Sequence, residues 1–193
     1  MKRLALLTGL VALAIAMQAQ STLYFRFANT EIKEGAPSYL VFDIELKASE
    51  LDTYQRDLQV FIDYNPDAFG ENIVSKGRIE LEKLDLMQGE TDDSEKYKFI
   101  KITDVNDRNR FAFLTEFTTD EKHPGPAFFN MVPTEYTGFV RVKMEIKDDN
   151  QKAGIKFVEE LMSDGQYYAK TDSKPYKYEK VVLENSLADK SLK

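Results

Sequence analysis

The chain of 193 residues contains no cysteine, no tryptophan and a single histidine, His123. Without cysteine there are no disulfides, no thiolate metal sites and no lipoprotein-type lipid attachment, so stability rests on the packed core. With one histidine, no His pair can hold zinc, and any Ser–His–Asp triad must use His123 itself. That residue lies in His123-Pro124-Gly125-Pro126, a run that reads as a surface loop. No phosphate loop or dinucleotide fingerprint is present; Gly165 stands alone. Paired carboxylates could serve glycoside hydrolysis, but with 33 Asp and Glu the sequence singles out no pair. These absences argue against an enzyme.

Long apolar runs are equally scarce, the exception being the start of the chain. Met1-Lys2-Arg3 is basic, Leu4–Met17 is apolar apart from small residues and Thr8, and Ala14-Ile15-Ala16 and Ala19-Gln20 offer small-residue cleavage points. About 14 apolar residues fall short of the roughly 20 that a membrane span needs. Residues 1–19 therefore read as a secretory signal peptide, which places the mature chain in the periplasm, at the cell surface or in the medium. Its removal leaves 174 residues with 24 basic and 33 acidic side chains, a net charge of −9. So acidic a chain lacks the basic stripe that nucleic acid or an anionic membrane surface requires. Neither nucleic-acid binding nor membrane insertion of the mature chain is expected.

What is present is β patterning. Phe and Tyr are abundant (13 and 10) and suit pleated surfaces. The organising stretch is DLQVFIDYNPDAFGEN, Asp57–Asn72. Leu58, Val60, Ile62 and Tyr64 alternate with Gln59, Phe61 and Asp63, the pattern of a strand with one buried face. Asn65-Pro66-Asp67 stops it, Phe69 is placed to plug the end of a core, and Gly70 ends the segment. Before it, Thr22–Ala28 and Tyr39–Ala48 alternate cleanly, with a turn through Asn29–Ser38 and a polar connection at Glu50–Arg56. After it, Arg78–Met87 alternates with a change of parity that suggests a bulge near Lys83. Tyr97–Val105 and Phe111–Phe117 follow as a hairpin, then the long loop Thr118–Pro133, then a strand at Gly138–Lys147. Ile155–Met162 opens as a strand and ends in a helical turn, and Tyr176–Leu183 is the last strand.

About nine short strands separated by turn signals predict an all-β fold, a single jelly-roll-like β-sandwich over residues 20–184. Residues 185–193 read as a polar C-terminal tail that frays. The runs VFDIELKAS, DLQVFIDYNPDAFGENI, FAFLTE and TGFVRVKMEIKD resemble the strand series of cohesin-type modules, relatives of carbohydrate-binding sandwiches. The resemblance spans most of Tyr39–Lys147. The stretches RDLQVFIDYN-x-x-AFGENI, FFNMVPTEYTG and LMSDGQYY are more similar still to N-terminal modules of proteins exported by the type IX secretion system of Bacteroidota. Such proteins usually carry a C-terminal sorting domain, and cohesins sit in multi-module scaffolds. Neither accompanies this sequence up to Lys193, so it is expected to be a fragment of a longer protein or to work alone.

The resemblance implies a secreted binding or scaffolding module with a protein or glycan partner outside the cell. A structural spacer is the remaining alternative. For a protein partner the candidates are Phe61 and Phe139, apolar residues on the nominally polar faces of their strands; the long loop through Phe128 and Phe129 is the competing cover for them. For a glycan, Tyr167 and Tyr168 point to opposite faces if extended, leaving one exposed, though packing accounts for such a pair more simply. No cofactor is expected apart from calcium, for which Asp104, Asn106 and Asp107 offer hard oxygen ligands at one turn and Asp148, Asp149 and Asn150 at another. The same residues serve ordinary turn initiation.

Overall fold

The computed structural model describes residues 21–88, 97–105, 109–117, 130–170 and 174–193. The stretch expected to be a signal peptide, the expected acidic loop after Gln88, Asn106, Asp107, His123, Phe128 and Phe129 lie outside the described residues.

The strands are β1 (Thr22–Lys33), β2 (Tyr39–Ala48), β3 (Tyr54–Gln55), β4 (Leu58–Asp63), β5 (Ile79–Lys83) and β6 (Tyr97–Asp104). They continue with β7 (Arg110–Phe117), β8 (Thr137–Glu145), β9 (Lys156–Phe157), β10 (Tyr167–Ala169), β11 (Pro175–Lys177) and β12 (Lys180–Leu183). Three single helical turns, α1 (Pro66–Phe69), α2 (Asp85–Gln88) and α3 (Glu159–Met162), punctuate them. A five-stranded sheet runs β12-β1-β2-β8-β5, a four-stranded sheet runs β6-β7-β4-β9, and a small sheet β11-β10-β3 closes one end. This is an all-β sandwich. No described helix is long and apolar enough to cross a membrane.

Alternation builds the core. Leu23, Phe25 and Phe27 of β1, Leu40, Phe42, Ile44 and Leu46 of β2, and Val140, Val142 and Met144 of β8 turn inward from one sheet. Leu58, Val60 and Ile62 of β4 and Phe111 and Phe113 of β7 meet them from the other. Phe157 of β9 stacks on Phe27 at 3.9 Å, tying the two sheets together. Each such side chain contributes roughly 1.5–3 kcal/mol by leaving water.

The corner after β4 follows from its residues. Asn65 accepts a hydrogen bond from the Asp67 N–H (3.1 Å) and so caps α1, with Pro66 at its first position, where no N–H is needed. Phe69 is fully buried at the end of the core. Gly70, at φ +83°, closes the turn by donating to the Pro66 carbonyl at 2.7 Å.

Several expectations are corrected. The parity change in Arg78–Met87 is not a bulge: β5 ends at Lys83 and α2 begins, its Met87 and Gln88 amides both returning to the Leu84 carbonyl. Leu86 and Met87 are both buried, as adjacent residues of this helical turn. Tyr176–Leu183 is divided between β11 and β12, which belong to different sheets, and β12 pairs parallel with β1. β1 itself runs on to Lys33 through an irregularity at Asn29, whose φ is +47°. The C-terminal tail is docked rather than frayed. Asn185 mimics a strand by bonding both the N–H (2.8 Å) and the C=O (2.9 Å) of Phe27, and Leu192 is buried.

Candidate functional site

The core leaves two broad outer faces, and each is specified by the residues between the buried ones. On the five-stranded sheet the register sets opposite charges directly across from one another: Arg26 opposite Glu45, Asp43 opposite Arg141, Glu80 opposite Lys143. Each pair closes. Arg26 Nε lies 2.7 Å from Glu45, Lys143 Nζ 3.0 Å from Glu80, and Arg141 holds Asp43 through two bonds of 2.8 and 3.0 Å. Asp43 is buried and also accepts from the Asn29 amide at 2.8 Å. Hydrogen bonding to Asp43 raises the Arg141 pKa further. Three aromatic rings take up the cations: Arg26 and Lys47 lie over Tyr136, Lys47 over Tyr24 and Lys143 over Tyr39. The Tyr136 hydroxyl is pushed well up by burial and then by Glu184.

The four-stranded sheet is different. Its register aligns Lys101, Leu114 and Gln59 in one outward row and Thr103, Ala112 and Phe61 in the next. These six side chains line a shallow groove of about 250 Å³. Among the described residues its polar groups are one ammonium, one carboxamide and one hydroxyl, with no carboxylate or imidazole, so these residues offer contact area rather than acid–base chemistry.

Charge marks both ends of this groove. At one end the buried Arg110 grips Asp63 through Nε (2.6 Å) and Nη2 (3.2 Å), with Lys156 and Glu160 each 3.9 Å away. At the other, Asp57 lies 3.3 Å from Arg56. Burial raises the Asp57 pKa, Arg56 opposes this, and Glu116 adds to it.

The edge of β4 beside the groove is covered. Gln166, fully buried, accepts from the Gln59 N–H (3.2 Å) and donates to its C=O (2.6 Å). The Phe61 N–H donates to the Met162 sulfur at 3.3 Å, and the Phe61 C=O accepts from Val158 at 3.1 Å. Strand addition at this edge is thereby blocked.

Of the residues singled out by sequence, Phe61 stands in the groove, half-buried. Phe139 does not. It is fully buried, because β8 carries an extra residue where Ile44 faces Val140 and Glu45 faces Gly138. That bulge turns Phe139 inward beside Val140, and its ring packs 6.2 Å from Phe113. Tyr167 is 37% exposed, and its N–H donates to the Asp57 carbonyl, which puts it at the acidic end of the groove. Tyr168 is buried, stacked on Tyr176 and tilted against Tyr178.

Asp104 is occupied by backbone: its carboxylate accepts from the Val74 and Ser75 amides at 3.0 and 2.8 Å. Asp148 likewise accepts from Asn150 and Gln151, which lowers its pKa. Among the described residues no three His, Asp or Glu side chains gather as a metal site. A larger groove, about 780 Å³, lies between the β1–β2 connection and the C-terminal segment, with charges of both signs from Glu31, Glu34, Asp149, Lys190 and Lys193.

Sequence reading missed Leu114, Ala112, Gln59, Thr103 and Lys101. A signal existed: between the charged outward positions Asp63 and Glu116, the outward residues Phe61, Ala112 and Leu114 of LQVFID and FAFLTEF are apolar where alternation would put polar groups.

No protein-family model matches this chain, and no curated protein matches it in sequence. Solved structures do match. The second type II cohesin module of the ScaA scaffoldin from Acetivibrio cellulolyticus is similar at 12% identity, with a TM-score of 0.51 over 86% of this chain and 94% of that one. The same module with its long C-terminal linker gives a TM-score of 0.53 at 10% identity, over 86% and 88%. A type II cohesin–X–dockerin complex from the same organism matches at 0.51 and 11% identity, over 85% and 96%. At such identities the likeness establishes the fold, a cohesin-like β-sandwich.

Proposed function

We propose that this chain is an exported, non-catalytic protein-interaction module whose partner seats on the outer face of the four-stranded sheet. The observation that carries this reading is the row Phe61–Ala112–Leu114, an apolar strip across adjacent central strands, bounded at both ends by charge. Interfaces concentrate energy in such apolar centres with polar rims. The opposite face supports the choice by contrast, since its charges already satisfy one another. A neighbour of the same fold is a cohesin held in complex with an X–dockerin partner, which favours a protein as the ligand class. The signal-like start of the chain supports export, and the resemblance to type IX-exported modules supports a cell-surface setting.

A glycan platform would need an open row of aromatic rings. Of the late tyrosines Tyr167 is exposed, whereas Tyr168 and Tyr178 are buried. The protein reading is therefore preferred.

The test is photo-cross-linking on intact cells of the producing organism, with a benzophenone side chain placed at Leu114 or, as control, at Glu82 on the other face. A discrete adduct from position 114 and none from 82 is expected, and Leu114→Arg should weaken capture about 100-fold, roughly 2.7 kcal/mol. Adducts from position 82 alone would overturn the assignment. Binding on a glycan array that is lost with Tyr167→Ala would replace it.

A further inference from the structure

Two glutamines are buried without exposure in this molecule, and they are treated in opposite ways. Gln166 uses both amide atoms, accepting from the Gln59 N–H and donating to the carbonyls of Gln59 and Met162. Gln55, equally buried on β3, has neither its Nε2 nor its Oε1 hydrogen-bonded. A sealed carboxamide with four unmet bonding positions is a costly arrangement that native cores rarely leave standing.

The surroundings of Gln55 are polar in a specific way. Tyr168 pairs directly opposite it, so both side chains stand on the same side of the small sheet. The Tyr168 ring packs 4.6 Å from Tyr178, whose buried hydroxyl also lacks a partner. Tyr97 closes the circuit. Its hydroxyl donates to the Gln55 carbonyl and accepts from the Asn130 N–H, both at 2.9 Å. The Tyr97 hydroxyl is thus consumed, and the Gln55 carboxamide and the Tyr178 hydroxyl are left unmet in the interior beside Tyr168.

We propose that this interior is a binding site for ordered water, held between the Gln55 carboxamide and the Tyr178 hydroxyl as a permanent part of the fold. The chemistry fits. The carboxamide supplies two donors and an acceptor, the phenol one of each, and a buried water commonly makes about three hydrogen bonds to such otherwise unmet groups. Apolar surroundings would stay dry; here the polar atoms come from β3 and from the β11–β12 connection, which the Tyr178 N–H bond to the Gln166 carbonyl holds in place.

Oxygen-17 magnetic relaxation dispersion on the purified protein tests the proposal by counting long-lived internal water. The wild type should show a long-residence component that falls in Tyr178→Phe and in Gln55→Met, each checked for an unchanged fold by circular dichroism. An identical dispersion in all three proteins would overturn it. A high-resolution crystal structure of the wild type gives a reading that does not depend on the variants folding. A solvent peak within bonding distance of Gln55 and Tyr178 is the expected result, and a direct Gln55–Tyr178 hydrogen bond with no such peak is the contrary one.

Discussion

On the outer face of the five-stranded sheet, cross-strand neighbours are Arg26 and Glu45, Asp43 and Arg141, Glu80 and Lys143; on the four-stranded sheet they are Leu114 and Gln59, Ala112 and Phe61. Both faces come from strands with the same buried-face alternation. They differ only in what fills the intervening positions. On the first face these charges are met by partners across the strands, so a protein seated there would compete with contacts already made. On the second, the half-buried Phe61 and Leu114 flank the buried Ala112 in a groove between Arg110–Asp63 at one end and Asp57 at the other. One face is therefore closed over by ion pairs, and the other carries the groove proposed as available to a partner.

Phenylalanine truncation probes this contrast most strongly. Phe139→Ala removes a fully buried ring and should cost about 3–5 kcal/mol in urea denaturation. Phe61→Ala, on the available face, should cost only about 1 kcal/mol in the same assay. Equal costs would mean that Phe61 belongs to the core and that the open strip does not exist. Next in size is Asp43→Ala. It strips Arg141 and Asn29 of a buried acceptor and should destabilise by about 2–3 kcal/mol, because Arg141 is itself partly exposed and can recover water. The exposed pair on the same face sharpens the point. A double-mutant cycle on Glu80 and Lys143 should give a coupling of no more than about 0.5 kcal/mol.

The smallest effect lies at the end of the groove. Burial raises the pKa of Asp57 above its ordinary 3.8, so the charged carboxylate opposes folding at neutral pH. That opposition weakens as the pH falls through the raised pKa and is gone below 3.8. Asp57→Asn should therefore raise the urea midpoint modestly at pH 7 and leave it unchanged at the acidic limit. A variant less stable than wild type at pH 7 would show that the Arg56 contact outweighs the burial.

Much of this was legible in the sequence. Strict alternation gave β2 its bounds, Tyr39–Ala48, and gave β4 its buried face and its Asn65-Pro66 corner. Illegible were features set by pairing rather than by local pattern. The bulge that turns Phe139 inward exists because of where β8 meets β2, so parity within the strand misplaces it. The docking of residues after Leu183 depends on Asn185 finding the backbone of Phe27, 158 positions away in sequence. The groove was half visible: Phe61 stood out, but only the β4–β7 register puts it beside Ala112 and Leu114.

Lysine acetylation footprinting tests the central claim most directly, since each face carries its own reporter: Lys101 lines the groove and Lys143 sits in the opposite charge lattice. Performed on the purified protein with and without the partner captured by cross-linking, it should show Lys101 protected on binding and Lys143 unchanged. Protection of Lys143 with Lys101 still reactive would place the interface on the face described here as closed.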